Sequence, residues 1–395
     1  MKNLETLIQE LCPDGVEFVK LGDVCKISRG KVYSKKYLAE HIGEYPVYSS
    51  QTANDGILGK IGTYDCDGKF LTWTTDGAYA GTVFYRQGKF SVTNVCGLIS
   101  CSNPILSLKF LYYWLTIEAP KHVHQGMGNP KLMSNQMAKI EIPLPPIDVQ
   151  TEIVRILDKF ISLETELEAE LDCRKRQYEY YRDKLLSFDN VGGQEVEWKK
   201  MSEVGTFIRG KRFVRTDIVE EGVPCIHYGD IYTYYGLTAT KAKTYLKPEK
   251  AEKMKFASKN DVVIVGAGEN NMDIGVGVAW LSDEEVAIHD ACYIFKSKMN
   301  PRFVSHYLRG SNYHLQIKKY VCEGKICSIS SKSIGRSLIP VPSLQEQERI
   351  ANILDRFESL TTSLQSGLPA EISARRQQYE YYRDKLLTFK RKGAA

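Results

Sequence analysis

Four short loops carry the side chains best suited to hydrogen-bonding chemistry. Ser49-Ser50-Gln51-Thr52-Ala53-Asn54 offers hydroxyls and amides, which match an adenine edge or a phosphate. Gly126-Met127-Gly128-Asn129-Pro130-Lys131 adds an amide, a cation and glycines that let backbone approach an anion closely. His227-Tyr228-Gly229-Asp230 and Glu323-Gly324-Lys325-Ile326-Cys327-Ser328 stand at comparable places later in the chain, with Lys131 and Lys325 matched. The candidate contact residues are therefore Ser49, Ser50, Gln51, Asn54, Asn129, Lys131, His227, Tyr228, Asp230, Lys325 and Ser328. The plain alternative is four ordinary surface turns.

Catalytic chemistry finds little support. The ten cysteines are scattered, with no Cys-x-x-Cys pair and no Cys/His quartet at zinc spacing, as expected of a reduced protein with buried thiols. No Ser/His/Asp set or carboxylate cluster suggests a nuclease. Val263-Ile264-Val265-Gly266-Ala267-Gly268 looks like a strand entering a Gly-x-Gly cofactor turn, which would suit a self-contained DNA methyltransferase. That enzyme would also need an Asn/Asp-Pro-Pro-Tyr/Phe motif; only Asn103-Pro104-Ile105 and Asn129-Pro130-Lys131 occur.

The elements that must position the loops are announced by a repeat. Gln-Tyr-Glu-Tyr-Tyr-Arg-Asp-Lys-Leu-Leu runs from Gln177 to Leu186 and again from Gln378 to Leu387, 201 residues apart. The likeness extends outward. Val16-Glu17-Phe18 through Arg29-Gly30-Lys31 matches Val196-Glu197-Trp198 through Arg209-Gly210-Lys211. Ile142-Pro143-Leu144-Pro145 matches Ile339-Pro340-Val341-Pro342, and Ile156-Leu157-Asp158-Lys159-Phe160 matches Ile353-Leu354-Asp355-Arg356-Phe357. Between these anchors the halves differ strongly. A frame alike around centres unlike is what a reader of two different targets needs.

Each half reads as a mixed domain of short strands closed by prolines and followed by a long helix. The first helix is expected from Ile147 to Ser187. Apolar residues at Ile153, Ile156, Leu157, Phe160, Leu163, Leu167 and Leu171, then Tyr178, Tyr181 and Leu185, make a coiled-coil-like stripe. At 1.5 Å per residue it is a rod of roughly 60 Å. A second helix starts near Leu344, and Gly367-Leu368-Pro369 is expected to interrupt it. So narrow a stripe needs a partner helix, and antiparallel pairing of the two is the simplest burial. The alternative packs each helix on its own domain.

The expected class is α+β: two globular domains (1–146 and 190–343) alternating with two long helices (147–189 and 344–395, the latter broken near 367–369). The helices pair as an antiparallel coiled coil within a pseudo-twofold repeat. On the repeated decapeptide, Tyr180, Arg182 and Lys184, with Tyr381, Arg383 and Lys385, fall off the stripe and offer two like faces for two copies of one partner. Intramolecular packing alone is the rival account, and stacking on unpaired bases a third. Leu163-Glu164-Thr165-Glu166 followed by Leu167-Glu168-Ala169-Glu170 is a four-residue unit used twice, either a solvated acidic face or a device that tunes rod length.

Composition adds bounds. A net charge of +5 is compatible with nucleic acid without demanding it, and 43% hydrophobic residues suit a globular chain. No run of 18 apolar residues predicts a membrane span, and Met1 to Glu10 does not read as a signal peptide, so the cytoplasm is the expected place.

This frame resembles the specificity subunits of type I restriction–modification systems over essentially the whole chain. The resemblance rests on the duplicated order of the two domain starts, the Ile-Pro-Leu-Pro and Ile-Pro-Val-Pro closures leading into Gln-x-x-Ile, and the repeated decapeptide. It implies that each domain is a target recognition domain for one half of a split double-stranded DNA site, and that the helices set the unread spacer. It implies two methyltransferase subunits as partners and, where restriction accompanies methylation, two restriction/translocase subunits. S-adenosylmethionine would belong to the methyltransferase subunits, leaving this chain without cofactor, metal or catalytic centre. A coiled-coil scaffold with two protein-binding domains and no DNA contact is the other reading of the same architecture.

Overall fold

The computed structural model describes residues 4–125, 128–188, 196–363 and 367–393. Gly126 and Met127 of the second candidate loop, residues 190–195 at the expected start of the second half, and 364–366 near the expected break lie outside the described residues. The chain forms two compact units whose boundaries differ from the expected domains. Residues 1–166 join 373–395 in the first unit, and 167–372 form the second.

The reason is the central helix. No Gly or Pro falls inside it, and it runs unbroken over Ile147–Ser187, 41 residues. It contributes its first half to one unit and its second half to the other. The later helix is two pieces, Leu344–Thr362 and Leu368–Leu386. The helix is thus interrupted ahead of Leu368, and Gly367-Leu368-Pro369 opens the second piece. Pro369 lies in the first turn, where its missing N–H removes no helix hydrogen bond.

In the first unit six strands form one sheet, in the order 26–29, 96–100, 66–74, 83–92, 42–48 and 57–61. All neighbours are antiparallel except 42–48 with 83–92, which pair parallel through Val47↔Ser91 and Tyr48↔Val92. The second unit repeats the frame in two sheets. One runs 205–209, 292–297, 262–265, 277–280 and 238–239; the other centres on 223–226 beside 286–288. That last pair is again parallel, through Cys225↔Ala287 and Ile226↔Ile288. Each core lies between its sheet and its helices. Leu71, Trp73, Phe110, Ile153 and Leu157 are buried in the first, and Val263, Ile294, Phe303, Ile350 and Leu354 in the second.

One buckle fastens each domain to the helix that follows it. Buried Gln150 donates from Nε2 to the carbonyls of Pro145 (2.7 Å) and Ile105 (2.8 Å), while its Oε1 accepts the Ser107 N–H (2.8 Å). Gln347 does the same with Pro342 (2.8 Å) and the Asn300 N–H (2.8 Å). Two turns on, Asp158 meets Lys109 (3.3 Å) and the Tyr113 hydroxyl, and Asp355 meets Arg302 (2.5 Å) and His306 (2.8 Å). Each buried polar group left unpaired would cost about 1–3 kcal/mol, so the glutamines fix the exit angle of both helices.

The helices also pair, antiparallel, within each unit. In the first, Phe160 stacks on Tyr382 with ring centroids 5.6 Å apart, and Glu164 meets Arg376. In the second, Phe357 stacks on Tyr181, also at 5.6 Å. These are the same two repeat positions used reciprocally. Each decapeptide copy thereby packs on a domain other than the one preceding its helix: Leu186 is buried in the second core and Leu387 in the first. Packing on the helix's own domain accounts for only the early stripe residues, such as Val149, Ile153 and Leu157.

All ten cysteines are unpaired; Cys173 and Cys322 are exposed, which corrects the expectation that the thiols are buried. Among the described residues no helix is long and apolar enough to cross a membrane.

Candidate nucleic-acid interface

The parallel pairs 42–48 with 83–92 and 223–226 with 286–288 each end in a cluster of loops, and the same backbone hydrogen bonds build both clusters. In the first unit the Thr93 N–H donates to Tyr48 O (2.8 Å); in the second His289 N–H donates to Ile226 O (3.1 Å). Lys31 N–H donates to Val92 O (3.1 Å), and Lys211 N–H to Ile288 O (2.9 Å). Leu132 N–H donates to Thr75 O (2.9 Å), and Ile329 N–H to Gly266 O (2.8 Å). Ser49 and His227 are therefore equivalent, as are Thr93 and His289, and Thr75 and Gly266.

The shared Arg-Gly-Lys motif is what crosses the sheet end. A Cβ on Gly30 would sit 1.7 Å from Val92 O, and one on Gly210 2.2 Å from His289 O, so only glycine fits either crossing. The crossing carries Lys31 and Lys211 to the cluster. Lys31 is exposed and pairs with Asp65 at 2.5 Å, which holds its ammonium above the ordinary lysine value. Lys211 is exposed and has no ion pair among the described residues.

On this like backbone the side chains differ. In the first unit the Ser50 hydroxyl donates to Val95 O and accepts the Thr75 N–H (2.9 Å), and Thr75 Oγ1 also donates to Val95 O (2.7 Å). Gln51 Nε2 donates to Ile57 O (2.6 Å), and Asn54 sits in the left-handed region with φ 50°. Gln51 braces its own loop, and Ser50 ties that loop to the turns at Thr75 and Val95. The side-chain amide oxygens, Gln51 Oε1 and Asn54 Oδ1, accept no hydrogen bond among the described residues. Asn129 and Lys131 are exposed, and backbone pairing of Lys131 with His124 and Asp76 brings it to the cluster.

In the second unit His227 caps the helix Tyr228–Thr233, its Nδ1 accepting the Gly229 N–H at 3.2 Å. Tyr228 stands beside it, ring centroids 4.2 Å apart. Asp230 is buried, and its carboxylate is taken up by the His227 N–H (3.2 Å), Thr244 (3.3 Å) and Lys243 (3.4 Å), so it faces inward. Burial, followed by the neighbouring His289, holds the His227 imidazole below the ordinary histidine value; burial does the same to His289. The pairing of Ala267 with Ser328 makes Ser328, not Lys325, the counterpart of Lys131. The second hairpin is one residue shorter between its paired positions (Cys322↔Ser328 against His124↔Lys131), and Lys325 stands exposed in its turn.

The docking candidates divide. Tyr180 and Tyr381 are 60% and 62% exposed, and Lys184 and Lys385 are exposed as well. Arg182 is not on that face: it is 8% exposed, paired with Asp183 (2.9 Å) and set against the Tyr178 ring. It lies four residues from both Tyr178 and Leu186, so the inward face is wider than the expected stripe: Arg182 and Leu186 join Tyr178 and Leu185 against the second core, and Tyr181 stacks on Phe357. Arg383, its twin, is half-buried beside Tyr379.

Sequence reasoning singled out neither Lys31 and Lys211 nor Thr75, Thr93 and His289. The first two carried a signal, the Arg-Gly-Lys shared by both halves. The Gly-x-Gly run is not a cofactor turn. Ala267–Gly268 pairs with Cys327–Ser328, and the short turn Asn271–Asp273 follows instead of a helix whose N-terminus could hold an anion. Among the described residues no His/Cys/Asp/Glu group could hold a metal ion.

Comparison with known proteins agrees with this duplicated frame. The family model for the type I restriction modification DNA specificity domain matches twice, over residues 13–172 and 194–374. A putative type I specificity subunit of Mycoplasma pneumoniae is 32% identical over 93% of this chain and 96% of its own length. The MpnII specificity subunit from the same organism is 44% identical over 44% of this chain and 53% of its own. The S subunit of M. genitalium shares the fold, with TM-score 0.51, 16% identity and coverage of 94% and 95%. A chain from a structure of type I restriction–modification complex assembly matches at TM-score 0.61, 17% identity and coverage of 95% and 98%. With two copies of the family domain and a relative matched end to end, this chain belongs to the type I restriction–modification DNA specificity subunit family.

Proposed function

We propose that each unit reads one half of a bipartite, asymmetric double-stranded DNA site through its loop cluster, and that the central helix sets the unread gap. The observation that carries this reading is the pair of clusters themselves: one backbone scheme, two unlike sets of side chains. Groups alike in both, Lys31 and Lys211, suit phosphates, which carry no sequence; groups that differ suit base edges. Tyr180 and Lys184, with Tyr381 and Lys385, present like faces for two methyltransferase subunits. Those subunits bind S-adenosylmethionine and methylate adenine, and restriction/translocase subunits join where the system also cuts. This chain contributes recognition and no catalysis, in the cytoplasm.

DNA affinity of the assembled complex should fall steeply with salt, because each lysine–phosphate contact releases counterions. Lys325→Ala is expected to weaken binding about equally on all sequences and to lower the slope of log affinity against log salt by about one. An unchanged slope removes Lys325 from the phosphate contacts. Salt-insensitive assembly with no DNA binding would favour a protein scaffold.

A further inference from the structure

In the second cluster His227 keeps a hydrogen-bonding atom that its own fold does not use. Both nitrogens of His289 are occupied: Nδ1 accepts the Ala291 N–H (3.1 Å), and Nε2 faces the Phe213 carbonyl (3.2 Å). The Asp230 carboxylate is occupied as well. His227 differs. Its Nδ1 accepts the Gly229 N–H, which places the proton of the neutral ring on Nε2, and Nε2 has no partner among the described residues. The ring is also held in place. Tyr228 lies 4.2 Å from it, His289 4.6 Å and Phe213 6.1 Å, by ring centroids. Burial and the adjacent His289 favour the neutral form against the pull of Asp230 and Asp290. His227 is half-buried at the end of the parallel strand pair, where the first unit has Ser49, another neutral hydrogen-bonding residue.

A neutral, oriented donor does what a lysine cannot. An ammonium is drawn to any phosphate, whereas a single uncharged N–H gains only from an acceptor placed in line with it. In the major groove guanine and adenine offer N7 and thymine offers O4, but cytosine offers only its amino donor. We propose that His227 is a specificity-determining residue of the second half-site, donating from Nε2 to a major-groove acceptor and rejecting cytosine at that position. The inference rests on the DNA-reading function given above and adds the residue, the atom and the class of base.

The test maps methylated sites in cells carrying the complete complex with wild-type, His227→Ala or His227→Phe specificity chain. Phenylalanine keeps the ring packing and removes the donor. Both variants are expected to lose base preference at one position of one half-site by about tenfold, with the other half-site and the gap unchanged. A motif unchanged in both variants overturns the assignment. So does complete loss of methylation in His227→Phe, since one lost base contact relaxes one position and no more. Absence of any chain-dependent bipartite motif with the wild-type chain would instead sink the DNA-reading function, before either variant is compared.

Discussion

Deleting Leu167-Glu168-Ala169-Glu170 should shorten the gap between the two methylated half-sites by about two base pairs and leave the bases read unchanged. Four helical residues rise about 6 Å, and base pairs are stacked about 3.4 Å apart. The deletion is tolerable because Leu163, Leu167 and Leu171 are all half-buried at a spacing of four. Removing one unit moves Leu171 into the place of Leu167, and the seam stays apolar. The helix rotates by roughly 40° in the process, since four residues overshoot one turn. The reciprocal stacks of Phe160 with Tyr382 and Tyr181 with Phe357 lie outside the deleted turn. Methylation mapping reads the gap directly. An old gap retained with the same bases would show that the helix is not the ruler.

Acid should unfold the second unit first. Its four histidines, His227, His289, His306 and His314, are all held below the ordinary histidine value, and burial is the largest cause for each. The unfolded chain takes up protons on these rings from about pH 6.5 downward while the folded unit resists. Their stabilising contribution is therefore complete above about pH 6.5 and lost as pH falls towards the folded values. His306, fully buried between Tyr178 and Asp355, can contribute up to about 1.4 kcal/mol per pH unit. Burial pushes the Asp355 carboxyl up, but His306 and Arg302 outweigh it and hold it low, so its contribution fails only below about pH 4. The described histidines of the first unit, His41, His122 and His124, are exposed. Hydrogen exchange at pH 7.5 and 5.5, corrected for intrinsic rates, should show peptides around Pro301–Tyr307 losing protection before those around Leu108–Glu118. Loss in the opposite order, or in step, would contradict this assignment.

The helix boundaries were open to sequence reasoning because their causes are local. Pro145-Pro146 forbids a helix before Ile147, and nothing up to Ser187 breaks one. The inward face of the repeat was not, because a 3.6-residue period through Tyr178, Tyr181, Arg182, Leu185 and Leu186 allows two stripes. Only the domain packed against it shows that Arg182 and Leu186 are covered along with Leu185. The exchange of helix halves between units was hidden for the same reason, since it depends on contacts between residues more than 100 positions apart, such as Tyr178 with His306. The loop clusters hinge on a parallel pairing of strands far apart in sequence, within centres that share almost no residues. Lys131 and Lys325 looked matched because each follows a glycine-containing turn; a one-residue difference in hairpin length makes Ser328 the true counterpart.

The most direct test is genome-wide adenine-methylation mapping in cells that carry a compatible, active methyltransferase subunit, with and without this chain. The account predicts a new two-part motif with a fixed unread gap, present only with the chain and asymmetric between its halves as the two loop clusters are. If the partner is present and active and no chain-dependent motif appears, the chain is not reading DNA, and the protein-scaffold account of the same architecture takes its place.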